Sequence, residues 1–109
     1  MIKARFYKTK ETGYELVSGY IDTFVDSNGK KIDIGFSEKW FNSRLFGWQA
    51  IHIDTGLVIA YAETHRKGVQ CVIELMPIIT EMLQKPYVKK CALKMVEFKK
   101  ELLKNKKSN

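Results

Sequence analysis

Residues 57–76, LVIAYAETHRKGVQCVIELM, decide the fold, because the hydrophobic period changes inside them. Leu57 to Glu63 reads as a short strand of branched and aromatic residues. Thr64 then supplies a good helix N-cap, and Val69, Val72, Ile73 and Met76 recur at helical spacing. The chain ahead of this point reads as strands and the chain after it as helices.

Toward the C-terminus the stripe continues through Ile79 and Leu83, and Leu75, Ile78 and Met82 widen it. One helix over about 65–84 is expected, kinked near Pro77, where a ladder bond is lost. Pro86 ends it and suits the first turn of a second helix, over about 87–104. In that second helix Val88, Cys91, Met95, Phe98 and Leu102 form a narrow seam. From about residue 104 a Lys-rich tail without an apolar anchor is expected to fray.

Toward the N-terminus, Asp54-Thr55-Gly56 reads as a tight reversal between strands 46–53 and 57–63. Ile32, Ile34 and Phe36 alternate with Lys31 and Asp33, the pattern of a half-buried strand. Asn28-Gly29 before it predicts a type I′ hairpin turn. Residues 14–25 read as a strand in which Gly19 marks a bulge or a close backbone approach. In residues 2–8, Ile2, Ala4 and Phe6 alternate with Lys3, Arg5 and Tyr7. Ser37 is a candidate cap for a short helix or turn over 38–44. The result is one α+β domain over 1–109: an antiparallel sheet of about five strands (residues 2–63) covered by two C-terminal helices.

The charge is unevenly placed. Of the net +7, residues 1–84 contribute nothing, while residues 85–109 hold nine lysines against Glu97 and Glu101. A neutral body with a cationic helix attracts polyanions. Lys89, Lys90, Lys94, Lys100 and Lys104 are therefore candidate nucleic-acid contacts, against the plain reading of a solvated helix face. A second candidate surface is residues 39–48, where aromatic and basic residues alternate. If exposed, Trp40, Phe41 and Trp48 can stack on bases or anchor a protein partner, with Lys39 and Arg44 on phosphates. If buried, they close one end of the core. Lys3, Arg5, Tyr7, Lys8 and Lys10 form a third, weaker basic strip.

Other chemistry finds little support. Asp54-Thr55-Gly56 resembles the active-site loop of aspartic proteases in those three residues alone. Leu57 follows where that family has Ala or Ser, and the helical second half is foreign to it. His52 and His65 read as surface histidines, and no metal-ligand spacing, phosphate loop or nucleophile elbow is present. Glu63 with His65, or Asp22 with Asp33, can be drawn as acid–base pairs, but nothing in the sequence selects them over ordinary surface charges. Cys71 and Cys91 read as reduced, buried thiols. No apolar run approaches the roughly 18 residues of a membrane span, and no signal peptide is visible.

The expectation is a small, non-enzymatic, cytoplasmic binding protein without cofactor or metal. Nucleic acid is the expected partner, bound through the Lys-rich helix. The alternative is a protein-interaction module acting through the surface that carries Trp40 and Trp48. Sixteen lysines against three arginines suggest an AT-rich coding source, as in small phage or mobile-element inhibitors and adaptors of host proteins. The seam Val88/Cys91/Met95/Phe98/Leu102 packs on the chain's own sheet or forms a homodimer contact.

Overall fold

The structure, a computed structural model, describes residues 2–107. Five strands form one antiparallel sheet in sequence order: β1 (Ile2–Lys10), β2 (Gly13–Val25), β3 (Lys31–Phe41), β4 (Arg44–His52) and β5 (Val58–Ala62). Three helices follow: α1 (His65–Glu74), α2 (Met76–Leu83) and α3 (Pro86–Lys107). The α+β class with segregated elements is therefore the observed one. No helix among the described residues is long and apolar enough to cross a membrane.

The alternation in β3 does what its period dictates. Ile32, Ile34 and Phe36 are buried, while Lys31 and Asp33 face solvent. They join Ala50 of β4 and Ala60 of β5 in a core that Val72, Met76 and Ile79 of α1 and α2 complete. Thr64 caps α1 by accepting the Lys67 amide at 3.1 Å.

The expected single kinked helix is two helices. Leu75, at φ −89° and ψ 4°, leaves the helical backbone conformation between them, while its amide still bonds the Cys71 carbonyl and its carbonyl accepts the Ile79 amide, both at 2.9 Å. Pro77 consequently stands in the first turn of α2, where its missing N–H leaves no intrahelical bond unmade. Of the helix or turn expected over 38–44, no helix forms, and the turn is confined to Asn42 and Ser43. Strand β3 runs through Phe41, and Asn42-Ser43 turn the chain into β4 with positive φ values of 49° and 64°. This is the type I′ geometry. At the Asn28-Gly29 turn only Gly29 takes a positive φ. There the Asp26 carboxylate accepts the amides of Asn28 (2.8 Å) and Lys30 (2.9 Å), so the turn is a type I turn followed by a glycine bulge.

The other face of the sheet coils onto itself. The backbone of β2 approaches β3 so closely at Gly19 that a Cβ there would lie 1.9 Å from the Phe36 carbonyl oxygen. The close approach expected at that glycine is thus present. The coil brings Phe6 of β1 over Gly35, beside Ile53, and lets Lys8 donate to Gln49 at 2.9 Å. At the end of β1 the Thr9 amide donates to the Gly56 carbonyl and its hydroxyl to the Thr55 carbonyl, both at 2.8 Å. Of the apolar positions expected in β1, Phe6 is buried, whereas Ile2 is 69% exposed.

Helix α3 closes the end of the sheet that holds the 26–30 and 54–56 turns. Val88 and Met95 are fully buried, and Phe98 stacks on Tyr14 (4.2 Å between ring centres) and meets Tyr7 edge-on (4.9 Å). The seam offered by the sequence therefore lies on the chain's own strands. The helix runs to Lys107. Ser108 and Asn109 lie outside the described residues.

Candidate nucleic-acid interface

With one face of α3 turned inward, its lysines are left outward. Lys89, Lys90, Lys94, Lys99, Lys100 and Lys104 are all exposed. Helical spacing divides them into two arcs. On one arc Lys90, Lys94 and Lys104 alternate with Glu97 and Glu101, and Lys104 lies 3.8 Å from Glu101. On the other arc Lys89 and Lys100 alternate with Leu93, Val96 and Leu103, without an acidic residue. Those three aliphatic side chains are exposed, outside the seam of Val88, Cys91, Met95, Phe98 and Leu102. Among the described residues no ion pair engages Lys89, Lys90, Lys94, Lys99 or Lys100.

The segment 39–48 is the distal half of the β3–β4 hairpin, at the opposite end of these strands from the turns that α3 covers. The strand pleat divides its candidate residues between two faces. Lys39 projects with Tyr61 on one face, its ammonium 4.8 Å from the centre of the Tyr61 ring. Trp40 and Trp48 project on the other, helped by a bulge between Lys39 and Trp40. Arg44 is exposed at the hairpin tip, and the Phe41 side chain lies outside the described residues.

The two indoles differ in surroundings. Trp40 is 57% exposed and donates its indole N–H to the Glu38 carboxylate at 3.0 Å. Trp48 is half-buried against His65, with ring centres 5.2 Å apart and planes 21° apart. Tyr20 lies on the same stack, 5.4 Å from His65 and 6.4 Å from Trp48. His65 is itself held by Asp22 at 3.2 Å, so it is a packed member of this stack and not a surface histidine. Glu63, its expected acid–base partner, pairs instead with Lys67.

Between the two indoles runs a groove of about 410 Å³, with Lys3, Ser18, Tyr20 and Glu38 on its walls. Lys3 is there because β1 and β2 pair Lys3 with Tyr20, and β2 and β3 pair Tyr20 with Phe36. The basic strip of β1 is otherwise dispersed. Tyr7 is covered by Phe98, Lys8 points to the opposite face and Lys10 is ion-paired with Glu15. Lys3 and Arg5 remain on the groove's face, both exposed. Two residues beyond Arg5, Tyr7 lines a further groove with Lys99, Leu102 and Leu103. The face of β1 thus leads from the two tryptophans to the C-terminal half of α3.

His52, expected on the surface, is 5% exposed. Its Nδ1 is 2.9 Å from the Thr55 hydroxyl, and burial holds the imidazole below its ordinary pKa. Thr55 also accepts the Leu57 amide, so this histidine organises the β4–β5 turn. Cys71 and Cys91 are free and half-buried. Among the described residues no group of three or more His, Cys, Asp and Glu side chains is placed to hold a metal ion. No protein-family model, curated protein or solved structure matches the chain.

Proposed function

We propose that this protein is a non-enzymatic nucleic-acid-binding protein whose affinity comes from the lysines of α3. The observation that carries the reading is the set Lys89, Lys90, Lys94, Lys99 and Lys100: all exposed, and among the described residues without an ion pair. Cations that are not neutralised within the fold release counterions when they meet phosphates, and that release supplies sequence-independent affinity. Lysine contacts phosphate as a point charge and reads bases poorly, so weak sequence selectivity is part of the proposal. A cytoplasmic setting suits the two free thiols.

The test is anisotropy of labelled duplex and single-stranded oligonucleotides over a salt series from about 50 to 200 mM. Binding that weakens steeply is expected. Lys90→Glu with Lys94→Glu should weaken it at every sequence and reduce the log–log salt slope by roughly two. Absence of binding at the lowest salt, or a double variant that binds like the parent, would retire the reading.

A second reading rests on a different observation. Large apolar side chains are exposed on both faces of the hairpin end, Trp40 and Leu45 as a cross-strand pair and Phe46 (to 74%) with Tyr61 on the Lys39 side. Such an apolar end suits a protein partner, in the manner of a small phage or mobile-element inhibitor or adaptor. In that case Trp40→Ala and Phe46→Ala abolish partner binding, and reversal of the α3 lysines does not.

A further inference from the structure

We propose that the groove between Trp40 and Trp48 is a binding site for unpaired bases, so that the protein takes single-stranded nucleic acid there. The inference rests on the nucleic-acid reading and extends it to a second, chemically different surface. Three ring systems of this face, Trp40, Trp48 and Tyr20, line one groove of about 410 Å³. The ring of Trp40 stays exposed, although its N–H is fixed on Glu38. An exposed aromatic ring held in a set orientation is prepared for stacking, because little rotamer freedom remains to be lost.

The polar rim selects a base over an aliphatic plug. Glu38 retains acceptor capacity after taking the Trp40 N–H, and a base amino or imino group can donate to it. An aliphatic side chain would leave that carboxylate desolvated and unmatched. Lys3 at the groove wall and Arg5 two residues along the same face of β1 are placed for the phosphates of the strand. The same face continues to Tyr7, where α3 begins to contribute its lysines. Paired bases keep their faces inside the duplex, so only a single strand can use the stack. Glu38 also repels phosphate, which places the backbone of the strand on the Lys3 side.

The test uses the full chain and its own fluorescence. Trp40 and Trp48 are the two tryptophans of the sequence and both line this groove, so indole emission reports on it; Trp48 also borders the groove of Phe46 and Tyr61, and Trp40→Ala tells the two sites apart. A short oligothymidylate is expected to quench the emission, and a blunt duplex of equal length to leave it unchanged. Trp40→Ala should weaken oligothymidylate binding roughly tenfold or more. Trp40→Phe should retain most of the affinity, because a stacking ring remains, and Lys3→Glu should weaken it while preserving the fold. Duplex affinity should be unaltered in Trp40→Ala. Single strands that bind without quenching, with affinity unchanged in Trp40→Ala, would overturn the groove and leave the α3 reading standing. Loss of all nucleic-acid binding in the parent would remove both. Quenching by a trimethyllysine peptide and not by oligothymidylate would make the groove a cation cage and overturn the proposal.

Discussion

The ring of Phe6 fills the space that a side chain at position 35 would need. A Cβ on Gly35 would lie 2.5 Å from both Cε2 and Cζ of that ring. Strand β1 can fold back over β3 only because β3 has no side chain on that face at this point. Gly35→Ala is expected to cost about 1–3 kcal/mol by overpacking, and Phe6→Ala about 3–5 kcal/mol. In the Phe6→Ala background the cost of Gly35→Ala should shrink, with a residue left by Ile53, whose Cδ1 would lie 2.9 Å from the new Cβ. Urea unfolding of the four proteins measures the coupling; strictly additive costs would show that the two residues do not meet.

Ser43 takes φ 64° in a turn whose geometry favours glycine. The left-handed conformation costs a residue with a side chain roughly 1–2 kcal/mol, part of which the greater freedom of unfolded glycine cancels. Ser43→Gly should therefore raise stability by about 0.5–1 kcal/mol, seen as a Tm higher by a few degrees. A lower Tm would argue against positive φ at this position.

His52 couples stability to pH. Burial depresses its folded-state pKa below the ordinary 6.5, outweighing the opposing pull of Asp54. The unfolded chain then takes up a proton near pH 6.5 while the folded chain does not. The stabilisation is full above that pH, is lost as pH falls below it, and levels off once the folded pKa is passed. In denaturant titrations at pH 8 to 5, His52→Asn should flatten this part of the profile. An unchanged profile would assign the dependence to other groups.

Gly56 joins three elements. At φ 73°, a Cβ there would lie 2.6 Å from the Thr9 hydroxyl oxygen and 2.7 Å from Met95 Cε. Gly56→Ala should cost about 2–5 kcal/mol, the sum of left-handed strain and overpacking. Hydrogen exchange should show the Thr9 amide, now bonded to the Gly56 carbonyl, losing protection first. Full retention of that protection would mean that the contact yields without cost.

Much of this fold can be read before any coordinates. Ile32, Ile34 and Phe36 announce β3 because a strand with one buried face must alternate, and Val88, Met95 and Phe98 announce the inner face of α3. What escaped has physical causes. The apolar stripe runs unbroken across Leu75, so periodicity could not reveal that one helix is two. Asn28-Gly29 suggested a type I′ turn, but the Asp26 carboxylate, bonded to two amides, selects another. His52 lacked any local sign of burial, since its partner Thr55 belongs to the turn that follows.

The candidate surfaces were legible as residues and not as places. Lys39 stands beside Trp40 in the chain, yet the pleat sends the two to opposite faces. Lys3 is far from Trp48 in the chain and two strands intervene between them in the sheet, yet both line one groove. Nothing local encodes that adjacency, because it depends on how β1, β2 and β3 coil together.

Phe98 is the shared partner of Tyr7 and Tyr14, so the first hairpin is joined to the last helix. On the ribosome this order has a cost. The β1–β2 hairpin emerges early and must wait, with two tyrosines uncovered, until synthesis has passed Phe98. A chain released before residue 98 would keep those rings exposed, and would be recognisable to quality control by them.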